Sequence, residues 1–348
     1  MTAVIPSIHV LNKTTQLINN PGMASKIAVI GAFKTTETEP KLFATVGEAQ
    51  TSFGDDDTFN GCAVIEDLFV GASSLLCVNI STKSGDTWTK TLNTTNLASA
   101  LAKIKGEDWD ILFVADTLTD TFIPIIDSFL DTTYEMKYPA GYVGVLAGGT
   151  TSADVTSAAL AGEHCYGLLT QQLTVDGVTK SLLKSGAYLC GIIAGMQVGQ
   201  TFTMKQVPGV TGVTPELSFE TGGNGKALLE AGIMTVKCQD RGNGKYVIVN
   251  SEQPDGLDLY INRSRDYVVK QMQLADFLGD RTNDITENGL KHELDRVKNQ
   301  CIKVLKICKD INYTVVKESS SCFGINIDSI LFDGILTRIN VYVRVEVE

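Results

Sequence analysis

Apolar residues in the first half of the chain are concentrated in short runs with more polar stretches between them. Four of these runs are apolar almost throughout, as expected for parallel strands covered on both faces: SKIAVIGAF (25–33), SLLCVNI (74–80), WDILFVAD (109–116) and GYVGVLAG (141–148). Leu97, Leu101 and Ile104 have the spacing of one buried helix face. This strand–helix alternation predicts an α/β sheet with right-handed crossovers.

The second half of the chain predicts helices and strands in a less regular order. HCYGLLTQQL (164–173) is predicted to be a strand, and SGAYLCGIIAGMQVG (185–199) a buried helix packed tightly against a neighbour. Residues 226–253 predict a helix, a strand, a glycine turn and a second strand. The helix predicted at 287–310 carries its apolar residues on one face: Leu290, Leu294, Val297, Cys301, Leu305 and Cys308. The predicted fold class is therefore mixed α/β, with a central α/β core and a C-terminal α+β domain.

The last fourteen residues, ILTRINVYVRVEVE (335–348), show the clearest period of two in the chain. Six apolar residues occupy odd positions of this predicted strand, Ile335 and the five proposed for the arm: Ile339, Val341, Val343, Val345 and Val347. One interpretation is a hairpin, in which Phe332–Gly334 forms the turn and FGINIDSIL (323–331) is the partner strand. A strand of this length spans about 45 Å, enough to leave one subunit and enter another. We favour donation of this strand to a neighbouring copy.

The N-terminal residues AVIPSIHVLNKTTQ (3–16) are also predicted to be extended. Pro6 disfavours a helix there, and Ile5, Ile8 and Val10 supply its apolar positions. The alternative is a frayed tail. We expect a second inter-subunit arm at this end.

Composition narrows the classes of partner. The chain has 348 residues and a net charge of −11 without a long basic run, which argues against a nucleic-acid surface and an anionic membrane surface. No export signal is recognisable at the N-terminus, and the most apolar stretch is shorter than the ~20 residues that cross a bilayer. The eight cysteines are scattered, mostly within apolar runs, which indicates reduced thiols in a protein made in a cytoplasm. No zinc-type spacing occurs among them.

The glycine cluster ETGGNGKALLEAG (220–232) resembles a phosphate-binding loop only superficially. A Walker motif needs a glycine five residues before its Gly-Lys pair and a Ser or Thr after it. Glu220 and Ala227 occupy those two positions, so one would repel phosphate and the other offers magnesium no hydroxyl. We predict a turn that enters a helix with Leu228, Leu229 and Ile233 on its buried stripe, and no nucleotide cofactor.

Two alternatives to a structural role stay open at this point. In the first, the chain is a cytoplasmic α/β hydrolase-like enzyme that uses Asp116 and His164, with Ser152 in the same region. No serine lies in a G-x-S-x-G elbow and no H-E-x-x-H motif is present, so we expect no catalytic or metal site. In the second, the chain is a soluble ligand-binding module whose C-terminal strand pairs only with its own hairpin.

The order of several segments resembles the tail sheath proteins of contractile phage tails and phage-tail-like bacteriocins. IPSIHV is similar to the opening strand of that family, and IAVIGAF followed by FGDDDTFNGCAVIEDLFVGASSLLCVNIS is similar to its first block. TPELSFETGGNGKALLEAGIMTVKCQDRGNGKYVIVNS resembles its helix–strand–strand unit, and YINRSRDYVVKQM the helix after it. The family's central domain is likened to subtilisin, but the Asp, His and Ser motifs of that protease are missing here.

The resemblance implies a division of the chain into five parts. These are an N-terminal arm (1–22), an α/β segment of the core (23–100), a central non-catalytic α/β domain (101–220), a C-terminal α+β domain (221–334) and a C-terminal β arm (335–348). At this length the chain has little room for the extra outward-facing domains of larger sheath proteins.

The resemblance also implies a function. Copies would form stacked six-fold rings around an inner tube, be linked by their arms, and contract from a metastable extended state to drive the tube through a cell envelope. The implied partners are further copies, the inner tube protein, the baseplate and the tail terminator, in a particle assembled in a bacterial cytoplasm and active outside the cell. No cofactor, nucleic acid or membrane insertion is implied.

We expect basic patches to meet carboxylates of neighbouring copies, because the subunit is acidic. Two groups are candidates for contacts made during contraction, the alternative being solvated helix faces: Arg263, Arg265 and Lys270, and Lys291, Arg296 and Lys298.

Overall fold

A computed structural model describes residues 25–135, 139–148, 151–240, 244–273, 287–319 and 322–333. Its strands, in chain order, are β1 (Lys26–Gly31), β2 (Lys41–Phe43), β3 (Ser74–Asn79), β4 (Thr82–Ser84), β5 (Thr87–Thr89), β6 (Ile111–Thr117), β7 (Gly141–Val145), β8 (Cys165–Leu169), β9 (Gln172–Val175), β10 (Val178–Thr179), β11 (Val210–Thr214), β12 (Val236–Asp240), β13 (Lys245–Ile248), β14 (Asp310–Ser319) and β15 (Cys322–Leu331).

The helices alternate with these strands along most of the chain. They are α1 (Val46–Phe53), α2 (Asn60–Ala63), α3 (Ile65–Leu68), α4 (Thr94–Ile104), α5 (Ile123–Glu135), α6 (Thr151–Ala158), α7 (Leu182–Gly195), α8 (Asn224–Glu230), α9 (Leu259–Gln273) and α10 (Glu287–Asn299), and α10 continues into a π-helical turn (Gln300–Val304). The predicted mixed α/β fold class is confirmed.

A six-stranded sheet forms the centre of the molecule, with the strand order β2-β3-β1-β6-β7-β8. β3, β1, β6, β7 and β8 are parallel, and β2 is antiparallel at one edge. The four apolar runs in the first half of the chain form β1, β3, β6 and β7, as predicted. These strands are apolar on both faces because both faces are covered.

Alternate residues of the strands enter two different cores. Val29 and Phe113, paired in register, face a core that α3 and α7 complete. Ala28 and Leu112 face the opposite core, which α4 and α5 complete. Leu97, Leu101 and Ile104 of α4 are fully buried there, so the helix face predicted from their spacing is confirmed.

The buried helix α7 packs against α3 through glycines. A Cβ on Gly191 would lie 2.5 Å from the Asp67 carbonyl oxygen, and a Cβ on Gly71 would lie 2.2 Å from the Gly191 carbonyl oxygen. The two backbones approach so closely that no side chain fits between them. The tight packing predicted from the glycines of this helix is therefore confirmed.

A separate core lies under the C-terminal hairpin of β14 and β15. All six apolar residues of the predicted amphipathic helix belong to it. Val268 and Met272 of α9 and Ile311 of β14 join them. By contrast, Leu228 of α8 and Ile248 of β13 belong to the cores of the six-stranded sheet. The hairpin core is therefore made mostly by α9, α10 and β14.

Some local predictions differ from the structure. The strand predicted at 164–173 is two strands, β8 in the large sheet and β9 in a small antiparallel sheet with β10 and β11. Between them the side chain of Gln171, which is completely buried, donates to the Pro215 carbonyl and accepts from the Val236 amide, 2.8 Å in each case. These bonds hold the chain at the point where it leaves one sheet for the other. Two short helices, α2 and α3, precede β3 and meet at Val64.

Candidate assembly surface

The β14–β15 hairpin is a two-stranded antiparallel sheet with ten residues in each strand. Its inner face lies on α10, where the Tyr313 hydroxyl donates to Asp295 Oδ1 at 2.8 Å and to the Lys291 carbonyl at 3.0 Å. Val315, Ile325 and Ile327 pack beside Tyr313 against the same core. One face of the hairpin is therefore attached to the subunit.

The long edges of this hairpin are not covered by other described strands. β14 and β15 pair with each other, and none of the remaining strands in the described part of the chain joins their sheet. Strand edges of this length present rows of backbone N–H and C=O groups that can pair with another strand. The hairpin thus has two edges that no other described strand covers, and one face packed against α10.

The residues predicted to form the arms lie outside the described ranges. They are Ile5, Pro6, Ile8 and Val10 at the N-terminus, and Ile339, Val341, Val343, Val345 and Val347 at the C-terminus. Their pairing stays a prediction.

The first predicted basic group lies inside the subunit. Lys270 Nζ lies 2.9 Å from Asp108 Oδ1 and 2.7 Å from Asp110 Oδ1, and Asp108 also binds Lys26. Burial alone would lower the pKa of Lys270, but Asp110 and Asp108 outweigh it and raise the pKa above its usual value. Lys270 therefore joins α9 to the loop that precedes β6.

The other two residues of this group behave in the same way. Arg265 binds Asp266 and Glu163, each at 2.9 Å, and Glu163 lies in the loop before β8. Arg263 is 2% exposed and donates to the Met196 carbonyl at 3.2 Å, and burial lowers the pKa of its guanidinium. These charges fasten α9 to the amino end of the sheet, because carboxylates and carbonyls of the same chain compensate them.

The second predicted basic group lies at the surface of α10. Lys291 pairs with Glu287 and Arg296 with Glu293, and the two basic side chains are 44% and 61% exposed. Lys298 binds Asp310 at the start of β14 at 2.8 Å. Exposed pairs of this kind are weak and can be exchanged for partners on another molecule.

The hydrolase alternative fails on geometry. Asp116 lies near the carboxyl end of β6, and Ser152 lies in the first turn of α6, which follows β7. His164 immediately precedes β8. Since β6, β7 and β8 are parallel, His164 lies at the opposite end of the sheet, about 15 Å away along the strands. Its Nε2 atom lies 3.0 Å from Asp131 Oδ1 instead. His164 is therefore a buried histidine with a carboxylate partner.

Asp131, Glu163 and His164 bring possible metal-ligand atoms within 4.8 Å of one another. Arg265 already binds the Glu163 carboxylate from the adjacent helix. The Arg265 guanidinium therefore supplies a positive charge next to these carboxylates. We assign the cluster to the contacts that fasten α9 to the sheet.

The glycine cluster also has a structural role. Gly225 donates its backbone N–H to the Ser218 carbonyl at 2.9 Å, and Leu228 of α8 is buried in the core. Lys226 lies 3.6 Å from Glu230 on the same helix. This lysine is paired along its own helix surface, in agreement with the prediction of a turn and helix.

The described part of the chain contains no helix that is both long and apolar enough to span a bilayer. Sequence reasoning missed two features of this surface: β14, and the contacts of Phe332 and Asp333 with Tyr260. The alternating apolar residues Ile311, Tyr313 and Val315 were the available signal for β14.

Comparisons with known proteins agree with this geometry. Residues 90–251 match the family model of the phage tail sheath protein central domain. No curated protein sequence matches the chain.

Solved structures match over nearly the whole length. A sheath tail protein from Listeria innocua matches at a TM-score of 0.64 with 12% identity, over 90% of this chain and 94% of that one. A chain in the baseplate structure of the anti-feeding prophage matches at a TM-score of 0.68 with 12% identity, over 99% and 100%. The contracted helical sheath of the same particle matches at 0.60 with 12% identity, over 99% of both chains.

The chain shares the fold of these proteins. Residues 90–251 match the phage tail sheath central domain, so the resemblance of this chain to contractile tail sheath proteins is confirmed.

Proposed function

We propose that this chain is the structural subunit of a contractile tail sheath. Copies assemble as stacked six-fold rings around an inner tube, and the sheath shortens from a metastable extended state to drive the tube through a target cell envelope. In this proposal the other partners are the baseplate and the tail terminator, and the particle acts outside the bacterium in which it assembles.

The open hairpin is the observation that carries this proposal. β14 and β15 form a base with two unpaired long edges among the described strands. The terminal residues have the strand pattern that such edges accept, with Val341, Val343 and Val345 alternating with polar residues. An arm from one copy can therefore extend the hairpin of another by main-chain hydrogen bonds.

The energy for contraction would come from contacts between subunits. Two packings of the same surfaces that differ by a few kcal/mol are sufficient for a switch when many copies change together. Arms that stay paired through the change would keep the copies connected while their cores rotate.

We place the contacts made during contraction on α10. Lys291 and Arg296 carry exposed charges there, and the subunit is acidic as a whole. Arg263, Arg265 and Lys270 are not part of this proposal, because their charges are compensated within the subunit.

Electron microscopy of the purified protein tests the proposal. We expect hollow tubes with a regular axial repeat and six-fold end views. A monomer that stays monodisperse at high concentration, with or without residues 341–348, would contradict the sheath function and favour a ligand-binding module.

A pair of substitutions tests the role of the C-terminal arm. Val343→Pro removes a backbone donor from the middle of the predicted strand, so tubes should no longer form. Val343→Thr keeps the backbone and the strand propensity, so tubes should persist. Equal assembly by both variants would count against strand exchange at this end.

A further inference from the structure

The last described residues, Phe332 and Asp333, contact elements outside the hairpin. β15 ends at Leu331, whose carbonyl accepts a hydrogen bond from the Lys309 amide at 2.7 Å. Beyond this point the Tyr260 hydroxyl donates to the Asp333 carbonyl, and Lys309 Nζ lies 2.6 Å from Asp333 Oδ1. The Phe332 ring meets Tyr260 edge-on, with ring centroids 6.0 Å apart. Tyr260, Lys309, Phe332 and Asp333 are called the anchor below.

Tyr260 is held firmly in place by the start of α9. It is 6% exposed, and its backbone amide donates to Asp258 Oδ1 at 3.0 Å. The other oxygen of Asp258 accepts from Ser251 at 2.6 Å and from Thr203 at 3.1 Å. The anchor is thus connected through Asp258 to two loops of the subunit body.

The other end of α9 is also attached. Lys270, ten residues after Tyr260, carries the ion pairs to Asp108 and Asp110 at the amino end of β6. Ten residues of α-helix span about 15 Å. The helix therefore links the anchor at one end to the six-stranded sheet at the other.

This arrangement decides what happens when the chain beyond Asp333 is pulled. The outermost pair of the hairpin ladder is Asp310 with Leu331. Without the anchor, a pull would act on this pair first, and the ladder would open one hydrogen bond at a time from its end. With the anchor in place, the pull reaches Tyr260 and α9 before it reaches the ladder.

We propose that the anchor is a positioning site for the C-terminal segment: it holds the point where residues 334–348 leave the subunit, so that a second copy of the chain gripping that segment pulls on α9 and the sheet instead of peeling β15 from β14. The source of the pull rests on the proposed function. The anchor itself is a property of the single chain and is tested on it.

Hydrogen exchange of the full-length chain provides the first test. Tyr260→Phe keeps the ring against Phe332 and removes the hydroxyl that binds the Asp333 carbonyl. Loss of one hydrogen bond should accelerate exchange at Ile330 and Leu331 about fivefold, with the rest of α9 and the sheet unchanged. Lys309→Met, which removes the other side-chain contact of Asp333, should act in the same direction.

Tyr313→Phe is the matched control. It removes a tyrosine hydroxyl from the same hairpin, but that hydroxyl binds Asp295 and Lys291 on α10 and does not touch the anchor. Exchange at Ile330 and Leu331 should stay at the wild-type rate. Wild-type exchange at these residues in Tyr260→Phe, or an equal acceleration throughout α9 and the sheet, would overturn the proposal.

A pulling measurement tests the mechanical consequence. The full chain is held by a tag at its C-terminus and a second tag in the exposed Gly85–Asp86 turn, and the force of the first opening event is recorded. Tyr260→Phe should open at a lower force than wild type and Tyr313→Phe, and equal forces would overturn the proposal. If wild-type protein forms no tubes by electron microscopy, the sheath function fails, while these measurements still decide the anchor.

Discussion

The six-stranded sheet and the C-terminal hairpin bury their strands in different ways. Helices cover both faces of the sheet, and its five parallel strands are almost entirely buried. The hairpin has α10 on one face, and outward-facing residues such as Asn312, Thr314 and Asp328 are exposed on the other. The described part of the subunit covers both faces of the sheet, whereas it covers one face of the hairpin and pairs no further strand with either hairpin edge. In the proposed sheath, the six-stranded sheet is the part that folds within one copy and the hairpin is the part that pairs with other copies.

Basic residues follow the same division. Lys270 and Arg265, which contact the sheet, are shielded from solvent and bound to carboxylates far away in sequence. Lys291 and Arg296, beside the hairpin, are exposed and pair within their own helix. Basic residues thus attach α9 to the sheet in one region, and in the other region they are exposed on α10 and available for contact.

The largest expected effect is loss of the Lys270 ion pairs. Lys270→Met leaves Asp108 and Asp110 without their main cation, and removal of one partner of a shielded pair costs about 3 to 5 kcal/mol of unfolding free energy. The control Lys291→Met removes an exposed pair and should cost at most about 0.5 kcal/mol. Urea denaturation measures both, and similar costs would contradict the division between the regions.

The pH dependence of this attachment follows from Asp108. Lys270 and Lys26 hold the pKa of Asp108 below its usual value although burial opposes this. As pH falls, Asp108 is therefore protonated in the unfolded chain before it is protonated in the folded chain. The contribution of Asp108 to the unfolding free energy is present above pH ~4 and is lost as pH falls through the pKa of the folded state. Lys270→Met should weaken this acid dependence.

The next largest expected effect distinguishes the hairpin core from the cores of the six-stranded sheet. Leu294 in α10 is completely buried in the hairpin core, and Leu294→Ala should cost about 3 kcal/mol there. Faster hydrogen exchange should appear in α10, β14 and β15 while the sheet keeps its protection. The matched change Leu101→Ala in α4 should affect the sheet. Uniform changes from both variants would show that the two regions unfold as one unit.

A smaller effect concerns one carboxyl group packed beside the sheet. Burial raises the pKa of Asp127 to about 6, although the Gly162 amide and His164 favour its ionised form. Between pH 4 and 6 the folded chain holds the proton more tightly, so ionisation of Asp127 destabilises the fold as pH rises.

Asp127→Asn should therefore raise the unfolding free energy by about 2 kcal/mol at pH 7 and leave it unchanged near pH 4. Thermal unfolding across this pH range measures the difference. Asp120→Asn, at an exposed position, is the control and should show no such trend. If Asp127→Asn changed the unfolding free energy by the same amount at every pH, the charge of Asp127 would not be the cause.

The smallest effect on stability is expected on α10. Arg296→Glu replaces an exposed pair and should change the unfolding free energy by less than about 0.5 kcal/mol. If α10 meets acidic surfaces of other copies, the same change should reduce tube formation or contraction severalfold in electron micrographs. Lys105→Glu reverses an exposed charge after α4 and should leave assembly intact. Equal assembly by both would remove α10 from the contact surface.

Local patterns were enough to predict much of the sheet and one face of α10. Continuous apolar runs indicated β1, β3, β6 and β7, because strands covered on both faces have little room for polar side chains. Spacing alone placed Leu294 and its apolar neighbours on one helix face. The division of residues 164–173 was not predictable, because the turn depends on Gln171 binding Pro215 and Val236.

The sequence by itself determined where the chain is apolar, the helices and strands that follow from this, and the family to which its segments point. Only the tertiary structure decided which partners the charged residues bind. Lys270 and Asp110 are 160 positions apart and meet only because α9 packs on the sheet. The same holds for the hairpin, whose two edges are open to the proposed assembly because no other described strand covers them. Short-range sequence patterns reflect the local geometry of helices and strands. The partner of a charged side chain and the pairing of a strand edge depend on which distant elements pack next to them.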